Sequence, residues 1–261
     1  MTQTPFVLVS NRGPVTFSDD GEITRGGGGL VTALTGLVSH RKAVWIASAM
    51  SDGDIKRARE ADGHPFSVKS PLGGEYEVRL VDSDAEAFDR FYNIFANPML
   101  WFIQHYLWDI SNAPDVRQWE IDAFELGYKV VNDDLAQAVI EEIDGQEDPV
   151  VMVHDYHLYT LPGIVRAARP DVFLHHFIHI PWPQSDAWRV LPTEIRDELY
   201  AGLLANDIIG FHTQAYRRNF IQCCRDLLDL EVDFERGVVL YDGREIWIRA
   251  YPLPIDAEAT E

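Results

Sequence analysis

Short, unbroken apolar runs that end in polar residues constrain the fold more than any other feature of this sequence. Residues 6–9 (Phe-Val-Leu-Val) lead into Ser10 and Asn11, and residues 150–153 (Val-Val-Met-Val) lead into His154 and Asp155. Runs without alternating polar residues are typical of strands buried on both faces of a parallel sheet. Further predicted strands, some interrupted by polar residues, cover residues 43–49, 76–81, 172–180 and 207–211.

Segments with the apolar spacing of helices separate these runs. Thr213 is a candidate N-cap, and Asp242-Gly243 predicts the turn of a hairpin between 238–241 and 246–249. This alternation predicts an α/β fold with a Rossmann-like, mostly parallel sheet and helices on both faces. Ligands of such folds bind beyond the carboxyl ends of the strands. The predicted helices cover residues 30–38, 84–92, 98–108, 116–143, 162–168, 194–204 and 215–228.

The charge balance restricts the partners. With 22 Lys and Arg against 42 Asp and Glu, the formal charge is −20, which argues against a nucleic-acid binder with a basic surface. No apolar run is long enough for a signal peptide or a membrane span. Cys223 and Cys224 are adjacent, which disfavours a disulfide between them. We therefore expect a cytoplasmic protein, and the sequence leaves open whether it forms a homo-oligomer.

A glycine run at residues 26–29 precedes the first predicted helix, and Arg12 and Arg25 lie nearby in sequence. Backbone N–H groups at a helix start bind anions, and arginine adds a bidentate partner for phosphate. One interpretation is therefore a phosphate site that includes Arg12. The other is a flexible surface loop with solvated arginines, because the run matches neither a P-loop nor a dinucleotide-binding motif.

Five of the nine histidines lie between residues 154 and 179. Along an extended strand, His175 and His179 share one face whereas His176 points to the other, so the spacing predicts no metal site. Some of these histidines are candidates for hydrogen-bonded core residues.

Asp155 closes an apolar run, where a carboxylate needs hydrogen-bond donors. A cluster of sugar hydroxyls is one candidate partner, and the N-terminus of the following helix is the other. Tyr92 and Trp101 are nine residues apart. Their rings are candidates for stacking on a sugar, or for packing in the core.

Several segments together resemble the trehalose-6-phosphate synthase family, glycosyltransferase family 20, whose members are retaining enzymes of two-domain GT-B architecture. The resemblance covers nearly the whole chain in the right order. It implies that residues 1–250 form the acceptor-binding Rossmann-like domain, the N-terminal half of a GT-B fold, and that 251–261 begin the linker to a donor-binding domain. The matching stretches are 9–14, 27–31, 92–101, 154–158, 179–183, 191–192, 207–213 and 251–252.

The resemblance also implies the reaction, which is transfer of glucose from a nucleotide-glucose, UDP- or GDP-glucose, to a sugar phosphate. Glucose 6-phosphate is the expected acceptor and trehalose 6-phosphate the product, with no cofactor. The implied roles are acceptor-phosphate binding for Arg12, acceptor contacts for Tyr92 and Trp101, a catalytic contact with the acceptor sugar for Asp155, a catalytic position beside the donor sugar for His179, and an approach to the donor phosphates for Gly28 and Gly29.

One departure from the family concerns Ser48, which stands where well-known bacterial members place a second tryptophan near the acceptor. It keeps open the synthesis of glucosylglycerol phosphate or of a pseudo-disaccharide phosphate. A hypothesis of another class is a non-catalytic sugar-phosphate-binding or regulatory module. Because the donor-binding residues of the family lie beyond this sequence, we expect the 261-residue chain alone to be inactive.

Overall fold

The computed structural model describes residues 6–26, 34, 43–69, 75–107 and 116–252. Within these residues a ten-stranded sheet has the order β10-β11-β12-β9-β8-β7-β1-β4-β6-β5, and a separate ribbon pairs β2 with β3. The strands are β1 (Phe6–Ser10), β2 (Val15–Phe17), β3 (Ile23–Arg25), β4 (Ala43–Ser48), β5 (Phe66–Lys69), β6 (Glu75–Val81), β7 (Val150–His154), β8 (Phe173–Ile178), β9 (Ile208–Phe211), β10 (Val232–Asp233), β11 (Val238–Tyr241) and β12 (Arg244–Ala250).

The middle of the sheet is parallel and consists of the seven strands β6, β4, β1, β7, β8, β9 and β12. At one edge β5 pairs antiparallel with β6, and at the other β10 and β11 pair antiparallel. The predicted mostly parallel sheet is therefore confirmed. Short edge strands such as β5 and β10 were not predicted, because their few residues lack an apolar run. The hairpin turn at Asp242 and Gly243 is confirmed, and both residues have positive φ, 49° and 72°.

Helices connect the strands at the predicted segments 116–143, 162–168, 194–204 and 215–228, whereas the helices at 52–60 and 185–188 were not predicted. The predicted helix 30–38 lies, apart from residue 34, outside the described residues. Among the described residues, no helix combines the length and hydrophobicity needed to cross a bilayer. The helices are α1 (Asp52–Glu60), α2 (Ala85–Asp89, continued by a π-helical Arg90–Trp101 and by Phe102–Gln104), α3 (Gln118–Ala123, continued by a π-helical Phe124–Tyr128 and by Lys129–Glu142), α4 (Leu161–Ala168), α5 (Ser185–Trp188), α6 (Thr193–Leu204) and α7 (Gln214–Leu228).

Helix α2 differs from the prediction, which placed two helices at 84–92 and 98–108. The chain stays helical between them and runs through Pro98. Proline lacks the N–H that an α-helical turn requires, and the wider π-helical turns around it accommodate that loss. At the start of α7 the predicted cap is confirmed, since Thr213 Oγ1 accepts a hydrogen bond from the Tyr216 N–H at 3.1 Å.

The sheet separates two apolar clusters. Val9 and Ile46 belong to the larger one, which includes residues of α2, α3 and α4, whereas Leu8 and Trp45 belong to the smaller one beside α1. Consecutive residues of a strand thus face opposite clusters, as the pleat requires. Cys223 and Cys224 are buried free thiols.

Candidate active site

The strand register brings polar residues into one row at the carboxyl edge of the sheet. Ser10 pairs with Ala47, Val9 with Val153, and Ile178 with Phe211. The residues that follow these positions are therefore neighbours, and backbone hydrogen bonds link Ser48 to Asn11, Asp155 to Phe177, and Tyr251 to Phe211. We call this set the carboxyl-edge row; its members are Ser48, Asn11, Asp155, His179, His212 and Tyr251.

Arg12 lies beside this row and contacts Tyr92, which is 80 residues away in sequence. Its Nη2 donates a hydrogen bond to Tyr92 Oη at 2.7 Å. The Tyr92 ring stacks on Phe88 and on His157, each at 5.9 Å between ring centroids. Arg12 is exposed, and no carboxylate among the described residues pairs with it. Its guanidinium therefore keeps donors available for an anionic ligand.

Asp155 has a backbone conformation that residues with a Cβ rarely adopt, φ 72° and ψ 176°. Two hydrogen bonds hold it there. The Asp155 N–H donates to Phe177 O at 2.8 Å, and His176 Nε2 donates to Asp155 O at 2.9 Å. Strain of this kind clusters at functional sites, where the surrounding structure enforces it.

The Asp155 carboxyl is buried, and its Oδ1 accepts a hydrogen bond from the His179 N–H at 3.3 Å. Burial raises the pKa of Asp155 to about 7, against the opposing effect of the N–H groups of Tyr156 and His179. Its side chain makes no capping hydrogen bond to the short 3₁₀ turn Tyr156–Leu158 that follows. The helix-cap interpretation is therefore wrong. Near neutral pH this carboxyl can both accept and donate hydrogen bonds to hydroxyl groups.

His179 lies among aromatic side chains, next to Asp155 in the row and on the opposite side of it from Asn11. Its Nε2 is 3.1 Å from His154 Nδ1, and its ring centroid is 5.3 Å from that of His212. Burial lowers the pKa of His179 to about 3, with smaller contributions from His212 and His176. The imidazole is therefore neutral at physiological pH and acts as a hydrogen-bonding group.

The histidines do not form a metal centre within the described part of the chain, where no three His, Cys, Asp or Glu side chains are arranged to hold an ion. His176 is fully buried, and it fits the interpretation of a hydrogen-bonded core histidine. Its hydrogen bond to Asp155 O was not predicted from the sequence. Its position in an apolar strand next to another histidine was the only available signal.

The outcome differs for two other predicted parts of the site, the glycine run and Trp101. Gly28 and Gly29 lie outside the described residues, and the preceding Gly26 donates its N–H to Pro14 O at 2.9 Å. Trp101 packs against His105, with 4.1 Å between ring centroids and the ring planes tilted by 32°. Among the described residues, no hydrogen bond or ring contact joins Trp101 to Arg12 or Asp155.

Comparison with known proteins places this geometry in a family. The model of glycosyltransferase family 20 matches residues 4–261. The chain belongs to glycosyltransferase family 20. It is 34% identical to a validamine 7-phosphate valienyltransferase of Streptomyces hygroscopicus subsp. jinggangensis, over 97% of this chain and 52% of that protein. It is 35% identical to an alpha,alpha-trehalose-phosphate synthase [UDP-forming] 1 of Aspergillus niger, over 98% of this chain and 47% of that protein.

The fold of this family-20 chain agrees with a solved structure. An alpha,alpha-trehalose-phosphate synthase (UDP-forming) from Burkholderia xenovorans, in complex with glucose-6-phosphate, superposes with a TM-score of 0.70 and 25% identity. The superposition covers 96% of this chain and 50% of that one. The chain thus spans about half the length of the relatives it matches. The predicted α/β fold of a GT-B N-terminal half is confirmed.

Proposed function

We propose that this chain is the acceptor-binding half of a retaining glucosyltransferase, which transfers glucose from a nucleotide-glucose to a sugar phosphate. Residues 1–250 form the acceptor domain, and 251–261 begin the connection to the donor domain. Glucose 6-phosphate is the acceptor and trehalose 6-phosphate the product. The observation that carries this proposal is the placement of Arg12 and Asp155 after neighbouring strands at the same sheet edge, an exposed guanidinium and a buried carboxyl.

This pairing has the chemistry that a sugar phosphate requires. The guanidinium of Arg12, fixed by its hydrogen bond to Tyr92, binds the phosphate. The Asp155 carboxyl, one strand away, hydrogen-bonds ring hydroxyls and orients the acceptor. Trp101 completes the acceptor contacts when the substrate is bound. The family resemblance and the relative crystallised with glucose-6-phosphate support this assignment.

The donor lies near His179, on the opposite side of Asp155 from Arg12. A neutral imidazole held by His154 is suited to hydrogen-bonding the hydroxyls of the donor glucose, and Gly28 and Gly29 approach its phosphates. The donor nucleotide is UDP or GDP, and the protein requires no cofactor. We propose no covalent nucleophile among these residues. They orient the donor and stabilise the charge that separates during transfer.

A second acceptor is favoured by one observation. The validamine 7-phosphate valienyltransferase is about as similar to this chain as the trehalose-phosphate synthases are. The alternative product is therefore a pseudo-disaccharide phosphate, and Ser48 also keeps open a glucosylglycerol phosphate. Competition between glucose 6-phosphate, validamine 7-phosphate and glycerol 3-phosphate for the same site would rank these acceptors.

The proposal is tested by titrating glucose 6-phosphate into the parent chain and into Arg12→Ala. A charged hydrogen bond contributes about 1.5–3 kcal/mol, so we expect the dissociation constant of Arg12→Ala for glucose 6-phosphate to be about ten- to a hundredfold higher than that of the parent. Arg59→Ala is the matched control, because Arg59 is an exposed arginine whose partner, Asp82, lies elsewhere. Equal affinity of the Arg12 variant and the control would contradict the phosphate assignment.

The chain by itself is expected to transfer no glucose. Donor and acceptor must be held face to face, and one half of the site forfeits most of that advantage. Incubation with UDP-glucose or GDP-glucose and glucose 6-phosphate, followed by assay for disaccharide phosphate, checks this expectation. Binding of the acceptor without transfer, persisting when a donor domain is supplied, would instead favour a non-catalytic sugar-phosphate-binding module.

A further inference from the structure

Two buried polar side chains in the carboxyl-edge row have no hydrogen-bond partner among the residues that the structure describes. Asn11 is 2% exposed and Ser48 is 3% exposed. Within the described ranges, no partner hydrogen-bonds Asn11 Nδ2, Asn11 Oδ1 or Ser48 Oγ. Buried polar groups are rarely left in this state, because they lose their hydrogen bonds to water without replacement.

The immediate neighbourhood shows that the fold does satisfy such groups elsewhere. Ser10 lies one residue before Asn11 and is also fully buried. Its Oγ donates to Arg12 O at 2.7 Å and accepts from Trp45 Nε1 at 2.8 Å. Within the described residues Ser10 is thus satisfied, whereas Asn11 and Ser48, which a backbone hydrogen bond joins, are not, and these two adjacent unpartnered groups point to a ligand.

The position of the pair relates it to the acceptor. Asn11 follows β1 and Ser48 ends β4, and the Ser48 N–H donates to Asn11 O at 3.2 Å. By the alternation of the pleat, both fall on the same sheet face as Val9 and Ile46, in line with Asp155 on β7. Asn11 thus lies between Ser48 and Asp155, and it directly precedes Arg12.

We propose that Asn11 and Ser48 form a subsite that hydrogen-bonds ring hydroxyls of the acceptor, a hexose or cyclitol phosphate. A primary amide offers both donors and an acceptor, and a serine hydroxyl offers one of each, which matches a pair of neighbouring hydroxyl groups. The assignment rests on the proposed function. It adds that Asn11 and Ser48 recognise ring hydroxyl groups of the acceptor by hydrogen bonding.

The test compares two probes, glucose 6-phosphate and inorganic phosphate, by calorimetric titration of the 261-residue protein. Ser48→Ala removes one hydroxyl, so we expect about three- to tenfold weaker binding of glucose 6-phosphate. Inorganic phosphate has no ring hydroxyls, and its affinity should stay at the parental value. The melting temperature should stay the same or rise, because an unpartnered buried hydroxyl is removed.

Thr160→Val is the matched control. Thr160 is 8% exposed, its Oγ1 also lacks a partner, and it precedes α4 away from the row. This variant should bind both probes like the parent. Asn11→Leu, of similar shape, is a second variant and should weaken glucose 6-phosphate more than Ser48→Ala does; if it does not fold, Ser48→Ala decides alone.

Three results would overturn the assignment, and they are distinguishable. Unchanged affinity of Ser48→Ala for glucose 6-phosphate removes the subsite and leaves the proposed function standing. An equal loss for both probes indicates a displaced phosphate site and not a lost hydroxyl contact. A parent protein that binds inorganic phosphate but not glucose 6-phosphate overturns the acceptor class itself, and the subsite with it.

Discussion

Asp155 adopts φ 72° and ψ 176°, a conformation that costs a residue with a Cβ about 1–3 kcal/mol. Its carbonyl is held by His176 and its N–H by Phe177, so the local packing outweighs this cost. The conformation places the carboxyl at the edge of the sheet, where burial keeps it partly protonated near neutral pH. The strained backbone therefore belongs to the residue for which we propose a contact with the acceptor.

This strain can be measured by comparing Asp155→Gly with Asp155→Ala. Both variants lose the carboxyl, but only glycine adopts this conformation without steric cost. After allowing for the greater flexibility of glycine in the unfolded chain, we expect Asp155→Gly to be more stable than Asp155→Ala by about 1–2 kcal/mol. Urea unfolding of both variants gives the difference. A more stable alanine variant would mean that the backbone relaxes and stores no strain.

At the scale of elements, the segment after Asp155 is positioned by the contact of α6 with the start of α4. A Cβ on Gly202 would lie 2.3 Å from Tyr159 O and 2.7 Å from Thr160 Cα. The helix can approach this segment so closely only because residue 202 has no side chain. Across the same contact, a Cβ on Gly163 would meet only Gly202 Cα, at 3.4 Å.

The two glycines should therefore respond to alanine with opposite signs. Gly202→Ala forces α6 away from the backbone beneath it, and we expect a loss of about 1–3 kcal/mol. Gly163→Ala fits without a clash and gains helix propensity, with an expected stabilisation of about 0.5–1 kcal/mol. Thermal unfolding of the pair checks this. Equal effects of the two substitutions would show that the close contact does not govern this helix packing.

At the scale of the whole molecule, buried neutral histidines make stability depend on pH. Burial lowers the pKa of His157, His176 and His179 to about 3 and that of His175 to about 4, against a usual value of 6.5. Between these values the unfolded chain binds more protons than the folded one. The free energy of unfolding therefore falls as pH drops below about 6.5.

Asp155 acts in the opposite direction, because its raised pKa makes the folded state bind the extra proton between pH 4 and 7. Four histidines outweigh one carboxyl, so we expect the melting temperature to decrease steadily from pH 7 to pH 5. Calorimetry at constant ionic strength measures this slope. A melting temperature that is constant or rises over this range would contradict the assignment of buried, neutral imidazoles.

The sequence alone determined most of the elements and the parallel centre of their sheet, but not short edge strands such as β5 and β10 or the continuity of α2. Apolar runs without alternation require burial on both faces, and helical spacing between them leaves parallel pairing as the consistent arrangement. The same pattern located Asn11, Asp155 and His179 at strand ends, since a strand ends where its apolar run ends. These features follow from local periodicity, which can be read along the chain.

Only the tertiary structure decided which of these residues act together. The contact of Arg12 with Tyr92, the clamp of His176 on Asp155 and the missing partners of Asn11 and Ser48 depend on strand order, register and helix packing. Such contacts join residues far apart in sequence, and their geometry is set by the packing of the whole core. Local periodicity fixes which side of a strand a residue occupies, but it carries no information on what that residue meets across the fold.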